Sequence, residues 1–263
     1  MSIIVSYFTN NGEILDTNED SLLINDQVIS GTSMRFPKTE ISADYPFHLF
    51  CIADGIGGHL FGGIAGKMVL EYMKKKRQFI QNQDDVIKTI YEAKISLNEF
   101  ISKNPNYYNF GSTIAGILID ETKCIFFNSG DSRIYTLNCG FFKRITHDHS
   151  LVEALYSQRY ITEDEMRTHP QKNVITSAIM GDLSLERPEV FIEEFILQGD
   201  DILFICSDGI WETLSLDDIE EIYNTNGFNG FSKGIFDACM KGKARDNISM
   251  IAICNHSKEV SSL

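Results

Sequence analysis

The sequence predicts an α+β fold in which two stacked sheets carry helices on their outer faces, the whole chain of 263 residues forming one domain. Three observations carry that expectation. Short apolar runs suit strands covered on both faces. Two segments repeat apolar residues on a single helical stripe, as helices packed on a sheet do. No internal repeat, low-complexity tract or proline-rich linker divides the chain, and 263 residues are enough for one large core.

In chain order, Asn18-Glu19-Asp20 leads into the strand-like run Ser21 to Ile24. Phe47 to Ala53 is a second apolar strand, and it stops at Asp54-Gly55-Ile56-Gly57-Gly58-His59, where glycines permit a sharp turn that exposes carboxylate and peptide oxygens. The first helix follows, with Ile64, Ala65, Met68, Val69, Tyr72 and Met73 as its apolar stripe. The basic run Lys74-Lys75-Lys76-Arg77 closes it, where cations complement the helix dipole. Val86, Ile90, Ala93, Leu97 and Ile101 form the stripe of a second helix. Both stripes are core faces. Gly111-Ser112-Thr113 opens the strand-like run Thr113 to Ile119, and Lys123 to Phe127 is the next. Asn128-Ser129-Gly130-Asp131-Ser132-Arg133 joins two further runs. Ile202 to Cys206 ends at Ser207-Asp208-Gly209, and Ala244-Arg245-Asp246-Asn247 opens the run Ile248 to Cys254. From Asn255 onward the chain is a loosely ordered polar tail.

Five acids therefore sit at strand ends: Asp20, Asp54, Asp131, Asp208 and Asp246. Taken singly, each is an ordinary turn residue or solvated strand end. If the strands pack side by side, the ends can converge, and clustered carboxylates repel unless cations lie between them. Spacing alone does not decide between the two arrangements. Nucleotide binding has little support, because neither a Gly-Lys-Ser/Thr ending nor a dinucleotide glycine fingerprint is present.

Composition narrows the classes. A net charge of −14 excludes a nucleic-acid binder that works through Lys and Arg, and gives no support for an anionic membrane partner. No apolar run approaches the roughly 20 residues of a membrane helix, and the N-terminus lacks a secretory pattern. The six cysteines are dispersed, several within apolar runs, so they read as buried thiols in a reduced, cytoplasmic protein.

The ordered series Asn18-Glu19-Asp20, Asp54-Gly55-Ile56-Gly57-Gly58-His59, Gly111-Ser112-Thr113, Gly130-Asp131-Ser132-Arg133, Ser207-Asp208-Gly209 and Asp246-Asn247 resembles the metal-dependent serine/threonine phosphatases of the PP2C family, in its bacterial form. The likeness spans nearly the whole chain. It implies a four-layer α/β/β/α sandwich of two mostly antiparallel sheets and places the family's flap at about 151–182, with Thr146 to Ser150, Ile161 to Glu165 and His169-Pro170 in or beside it. It also implies a cofactor of two divalent metals, Mn²⁺ or Mg²⁺ given oxygen-only ligands. Asp54 would bridge them, the Gly55 carbonyl would bind one, and Asp208 and Asp246 would complete the other's shell. Asp20, with Glu19 beside it, would act through water, and Asp131 would share a weaker third metal with Asp208. Asn247 would orient its neighbour Asp246. The implied catalyst is a hydroxide bridging the metals, attacking phosphorus in line with no covalent phosphoenzyme. Phosphorylated proteins, the products of a serine/threonine kinase, would be its substrates, and a monomer would suffice.

Other residues in these motifs read as supporting groups: Ser112 and Thr113 satisfying local backbone, Arg133 bracing its turn in an ion pair, and Trp211 packing beneath the metal loop. Two departures alter the expected chemistry. Many relatives carry a phosphate-gripping arginine four residues before Glu19, where this chain has Leu15; Arg35 or Arg245 is the candidate replacement. Eukaryotic relatives place histidine directly after the Asp-Gly pair, where this chain has Ile56, leaving His59 or a metal-bound water as proton donor. Two other readings stay open at this level: a small-molecule phosphatase, and a non-catalytic sensor or binding module of the same fold.

Overall fold

A computed structural model describes residues 3–42, 45–57, 61–107, 110–120, 123–138, 140–197 and 201–255. In chain order the elements are β1 (Ile3–Asn10), β2 (Ser21–Ile24), β3 (Gln27–Ser30), β4 (Lys38–Ser42), β5 (His48–Ala53), β6 (Gly55–Ile56), α1 (Gly62–Lys76), α2 (Gln83–Lys103), β7 (Phe110–Ser112), β8 (Ile114–Asp120) and β9 (Lys123–Ser129). They continue as β10 (Arg133–Asn138), β11 (Phe141–Arg144), α3 (Leu151–Ser157), α4 (Glu163–Thr168), β12 (Ile179–Gly181), β13 (Phe191–Ile196), β14 (Ile202–Cys206), α5 (Asp208–Thr213), α6 (Leu216–Lys241) and β15 (Ile248–Asn255).

Two six-stranded antiparallel sheets result, in the orders β11-β10-β14-β15-β1-β4 and β13-β9-β8-β5-β2-β3. Strand alternation divides the core among three interfaces. On β1, Ile3, Val5 and Tyr7 meet the other sheet, packing with Phe50, Ile52 and Ile117, while Ile4 and Phe8 face outward with Phe231 and Ile235 of α6. On β5, Leu49, Cys51 and Ala53 turn outward to Val69 of α1 and Ile90 of α2. Helix, sheet, sheet and helix therefore stack as the expected four layers, and strands with both faces covered are apolar throughout.

The second predicted helical stripe is buried at every position: Val86, Ile90, Ala93, Leu97 and Ile101. Asn82 caps that helix by accepting from Asp85 N–H at 3.0 Å. The first stripe is rotated from expectation. Ala65, Val69 and Met73 are buried together with Gly66 and Leu70, but Ile64 is 37% exposed and faces a surface groove. Glycine at 62 and 66 lets the backbone of α1 approach the sheet, so the close face carries small residues rather than the bulkiest ones.

The helix over the other sheet has a weak signal in sequence. Within α6, Asn224, Asn226, Gly227, Asn229 and Gly230 are poor helix formers, and Gly227, at φ +60°, breaks the helix into two segments. Its start is nonetheless well specified: Ser215 and Asp218 form a capping box. A small third sheet, β12-β7-β6, was not anticipated, and it is the element that carries Gly55. The strand read as ending at Cys254 continues through Asn255, and the remainder of the polar tail lies outside the described residues.

Candidate metal centre and comparison with known proteins

Register answers the question that spacing leaves open. Ser21 pairs with Ala53, so Asp20 and Asp54, one residue beyond, stand opposite each other at the end of one sheet. Arg133 pairs with Cys206, and the same register continued two residues sets Asp131 against Asp208 at the end of the other sheet. Cys206 pairs with Met250, which brings the start of β15, and Asp246 just before it, to that same end. Asp131 lies in the link that crosses from β9 in one sheet to β10 in the other. All five acids thus occupy one end of the sandwich.

Electrostatics agrees with this placement. Burial first, then the charges of Asp20, Asp208, Asp131 and Asp246, hold the Asp54 carboxyl well above the usual range. Burial, then Asp131, Asp246 and Asp20, do the same to Asp208. Asp20 is pushed up to about 7, mainly by burial, against the opposing effect of hydrogen bonds from Ser249 and Ser207. Asp131 also rises to about 7, through burial and then the charge of Asp148.

The acids are held by their backbones and by neighbouring hydroxyls. Thr113 accepts from Asp54 N–H through Oγ1 at 3.0 Å and donates its own N–H to the Asp54 carbonyl at 2.8 Å. Ser112 Oγ donates to that same carbonyl at 2.8 Å. Gly111-Ser112-Thr113 is therefore a clamp on the Asp54 peptide. Ser207 Oγ donates to Asp20 Oδ2 at 2.8 Å, tying the ends of the two sheets together. The Asn247 side chain accepts from Glu19 N–H at 2.7 Å and donates to the Thr17 carbonyl at 2.9 Å, while its backbone N–H donates to Asp246 Oδ1 at 2.8 Å. Its amide thus fastens the Thr17–Glu19 turn, and only its peptide reaches Asp246.

Gly55 has no room for a side chain: a Cβ there would lie 2.1 Å from the Gly62 carbonyl carbon. A Cβ on Gly62 would in turn lie 2.5 Å from Glu19 Oε2, which places that carboxylate at the start of α1. Asp20 Oδ1, Asp131 Oδ1 and Asp208 Oδ1 are buried without a hydrogen-bond partner. Orphaned anionic oxygens on three converging acids, with a peptide oxygen at Gly55 and neither thiol nor imidazole among them, make a donor set suited to a hard divalent cation. Among the described residues, no three acidic, His or Cys side chains close around a single point as a ready-made metal site.

Arg133 gives its hydrogen bonds to Asp148, and its charge partly opposes the rise at Asp131. It makes a bidentate pair with Asp148, at 3.0 Å from Nε to Oδ1 and 2.5 Å from Nη2 to Oδ2, and stacks 3.6 Å over the Trp211 ring. Trp211 Nε1–H donates to the Asp131 carbonyl at 3.1 Å, so the tryptophan braces the acid's loop from below. Arg35 and Arg245 are exposed, and neither lines the groove beside Glu19. The cation that does line it is Lys67, which the sequence reading overlooked. It is on the same helix face as Gly63, one turn earlier, and Gly63 abuts Glu19. Lys67 and Glu19 thus line the same groove. His59 lies outside the described residues.

Residues 7–248 match the family described as protein phosphatase 2C. A Streptococcus pyogenes protein of phosphatase 2C type is 30% identical over 219 residues, covering 81% of this chain and 87% of that one. The S. agalactiae serine/threonine phosphatase structure superimposes with a TM-score of 0.79 at 25% identity, covering 97% of this chain and all of that one. The fold is also shared with the catalytic domain of the serine/threonine protein phosphatase PstP, solved with two manganese ions, at a TM-score of 0.76, 20% identity and coverage of 97% and 99%. Family match, relatives and fold agree with the motif order, and the chain belongs to the protein phosphatase 2C family of serine/threonine protein phosphatases, in its bacterial form.

Proposed function

We propose that the five converging acids, with the Gly55 carbonyl, hold two divalent metals, Mn²⁺ or Mg²⁺, and that the chain hydrolyses phosphoserine and phosphothreonine on proteins there without a covalent phosphoenzyme. The observation that carries this reading is the convergence itself, with an orphaned oxygen on each of Asp20, Asp131 and Asp208. Asp54 is assigned to both metals, Asp208 and Asp246 to one of them, Asp20 to a contact through water, and Asp131 with Asp208 to a weaker third ion. The two manganese ions in the PstP structure support the choice of metal. Bound there, the metals supply an activated water as nucleophile and positive charge against the phosphoryl oxygens.

The protein's own part is positioning. Thr113 and Ser112 lock the Asp54 peptide, and Ser207 holds Oδ2 of Asp20, whose Oδ1 is buried with no hydrogen-bond partner. No cysteine among the described residues offers a thiolate nucleophile: all five are buried, and burial holds the Cys124 and Cys239 thiols at about 12. Lys67 is assigned to phosphate capture in place of the arginine that Leu15 replaces, with Arg35 and Arg245 as the alternatives.

Hydrolysis of para-nitrophenyl phosphate with Mn²⁺, in the parent and in Asp208→Asn, tests the core assignment. Activity in the parent, and its loss by about a thousandfold or more in the variant, is the expected outcome; a parent inactive with Mn²⁺ and with Mg²⁺ would sink it. Lys67→Ala should raise KM for that ester severalfold at little cost in kcat. An unchanged KM in Lys67→Ala beside a raised one in Arg35→Ala or Arg245→Ala would move phosphate capture to the arginine.

A further inference from the structure

Beside the acids lies a cleft of about 280 Å³, walled by the α3–α4 segment on one side and by α5 and the start of α6 on the other. Asp131 is part of its lining, so the cleft borders the proposed phosphoryl site. Its lining divides almost evenly between polar and apolar surface, the apolar part supplied by Val152, Met166, Leu214 and Ile219 with the rings of Tyr156 and Trp211.

Charges in its wall are almost all committed to one another. Arg133 pairs with Asp148, Arg144 with Glu153, and Lys172 with Glu212. Setting those three pairs aside leaves Asp131, which faces the metal site, and Arg167, which makes no ion pair among the described residues. Hydrogen bonds from Ser215, and more weakly the charge of Arg167, hold the Asp218 carboxyl below its usual range. An apolar patch ringed by paired charges, with Arg167 the one cation of the lining left without an ion pair among the described residues, suits an apolar group with a carboxylate next to it. At about 280 Å³ the cleft is at the small end of ligand pockets, the size for one side chain and its peptide rather than for a whole metabolite.

Resting on the phosphatase reading above, we infer that this cleft receives an apolar side chain of the phosphoprotein substrate flanking the phosphorylated residue, with Arg167 pairing an acidic neighbour. The enzyme would then select phosphosites set among leucine-like and acidic residues, and the Lys172–Glu212 pair would hold the α3–α4 segment against α5 while the side chain is seated.

Phosphothreonine peptides identical except for leucine or glycine at each flanking position in turn test this, with kcat/KM measured on the Mn²⁺-loaded full chain. Leucine should be preferred by about tenfold at one position, the worth of burying one such side chain. Met166→Glu and Tyr156→Ala should bring that ratio close to one, and Arg167→Ala should abolish a preference for an aspartate neighbour while leaving the leucine ratio in place. Because Trp211 is the only tryptophan and lines the cleft, its emission gives a reading without turnover: in EDTA the leucine peptide should shift it and the glycine peptide should not. Equal kcat/KM across the parent's peptide panel, or a leucine ratio untouched by both cleft variants, would overturn the inference while leaving the phosphatase reading intact. If neither ester nor peptide is hydrolysed, the phosphatase reading fails, and the fluorescence comparison alone decides whether the cleft takes the side chain.

Discussion

At the scale of single residues, the site depends on groups that fix carboxylates more than on the carboxylates alone. Ser207 is fully buried and hydrogen-bonded to Asp20 at 2.8 Å. Ser207→Ala should cost about 1–2 kcal/mol in urea unfolding, the penalty for a buried acceptor losing its donor, and should also weaken Mn²⁺ binding measured by calorimetry. A variant as stable as the parent would show that the bond carries no net weight. Asp20, Asp54 and Asp208 were visible in sequence because each follows or precedes an apolar run and has glycine or a hydroxyl residue beside it. Lys67 was not, because a lysine in the first turns of a helix looks like any solvated cation until the fold sets it in one groove with Glu19. Asn247 was expected to orient its neighbour Asp246, but its amide reaches back to Thr17 and Glu19, a pairing across more than two hundred residues that no local pattern encodes.

At the scale of elements, close backbone approach and one buried charge pair set the frame. Gly55 of β6 and Gly62 of α1 touch so nearly that a methyl group on either must displace main chain. Gly55→Ala should therefore destabilise by about 1–3 kcal/mol and lower Mn²⁺-dependent activity together with stability; an alanine variant with parental Tm would contradict the packing described. Arg133→Met would strip Asp148, whose side chain is 3% exposed, of its bidentate partner and leave it the longer contact to Arg144. A loss of about 3 kcal/mol is expected, with much of it recovered in the double variant Arg133→Met, Asp148→Asn. The helical stripes were legible to different degrees for a physical reason. On α2 large apolar residues meet the core directly, whereas on α1 glycines let the helix sit closer and the stripe rotates, leaving Ile64 outward.

At the scale of the whole molecule, five acids gathered at one end should make stability depend on pH and on the divalent metal proposed to bind there. Asp20 and Asp131 titrate at about 7 in the fold, far above an exposed aspartate. Between about pH 4 and 7 the folded state therefore holds protons that the unfolded chain has released, so these groups favour folding at low pH and that contribution is lost as pH rises through about 7. In EDTA, Tm should fall across that window as far as these groups control it, and the rise in Tm on adding Mn²⁺ should be larger at pH 8 than at pH 5.5, since a cation binds the deprotonated acids. An equal rise at both values would contradict the convergence of these acids on a metal. Sequence by itself determined the layered fold, the strand-end acids and their family order, because alternation, helical stripes and glycine turns are short-range properties written in neighbouring residues. Tertiary structure alone decided that Asp20 faces Asp54 and Asp131 faces Asp208, that a third small sheet presents Gly55, and that a cleft with an apolar patch borders Asp131. Those facts follow from strand register and from packing between segments far apart in the chain, where free energy is shared among contacts that no single stretch of sequence contains.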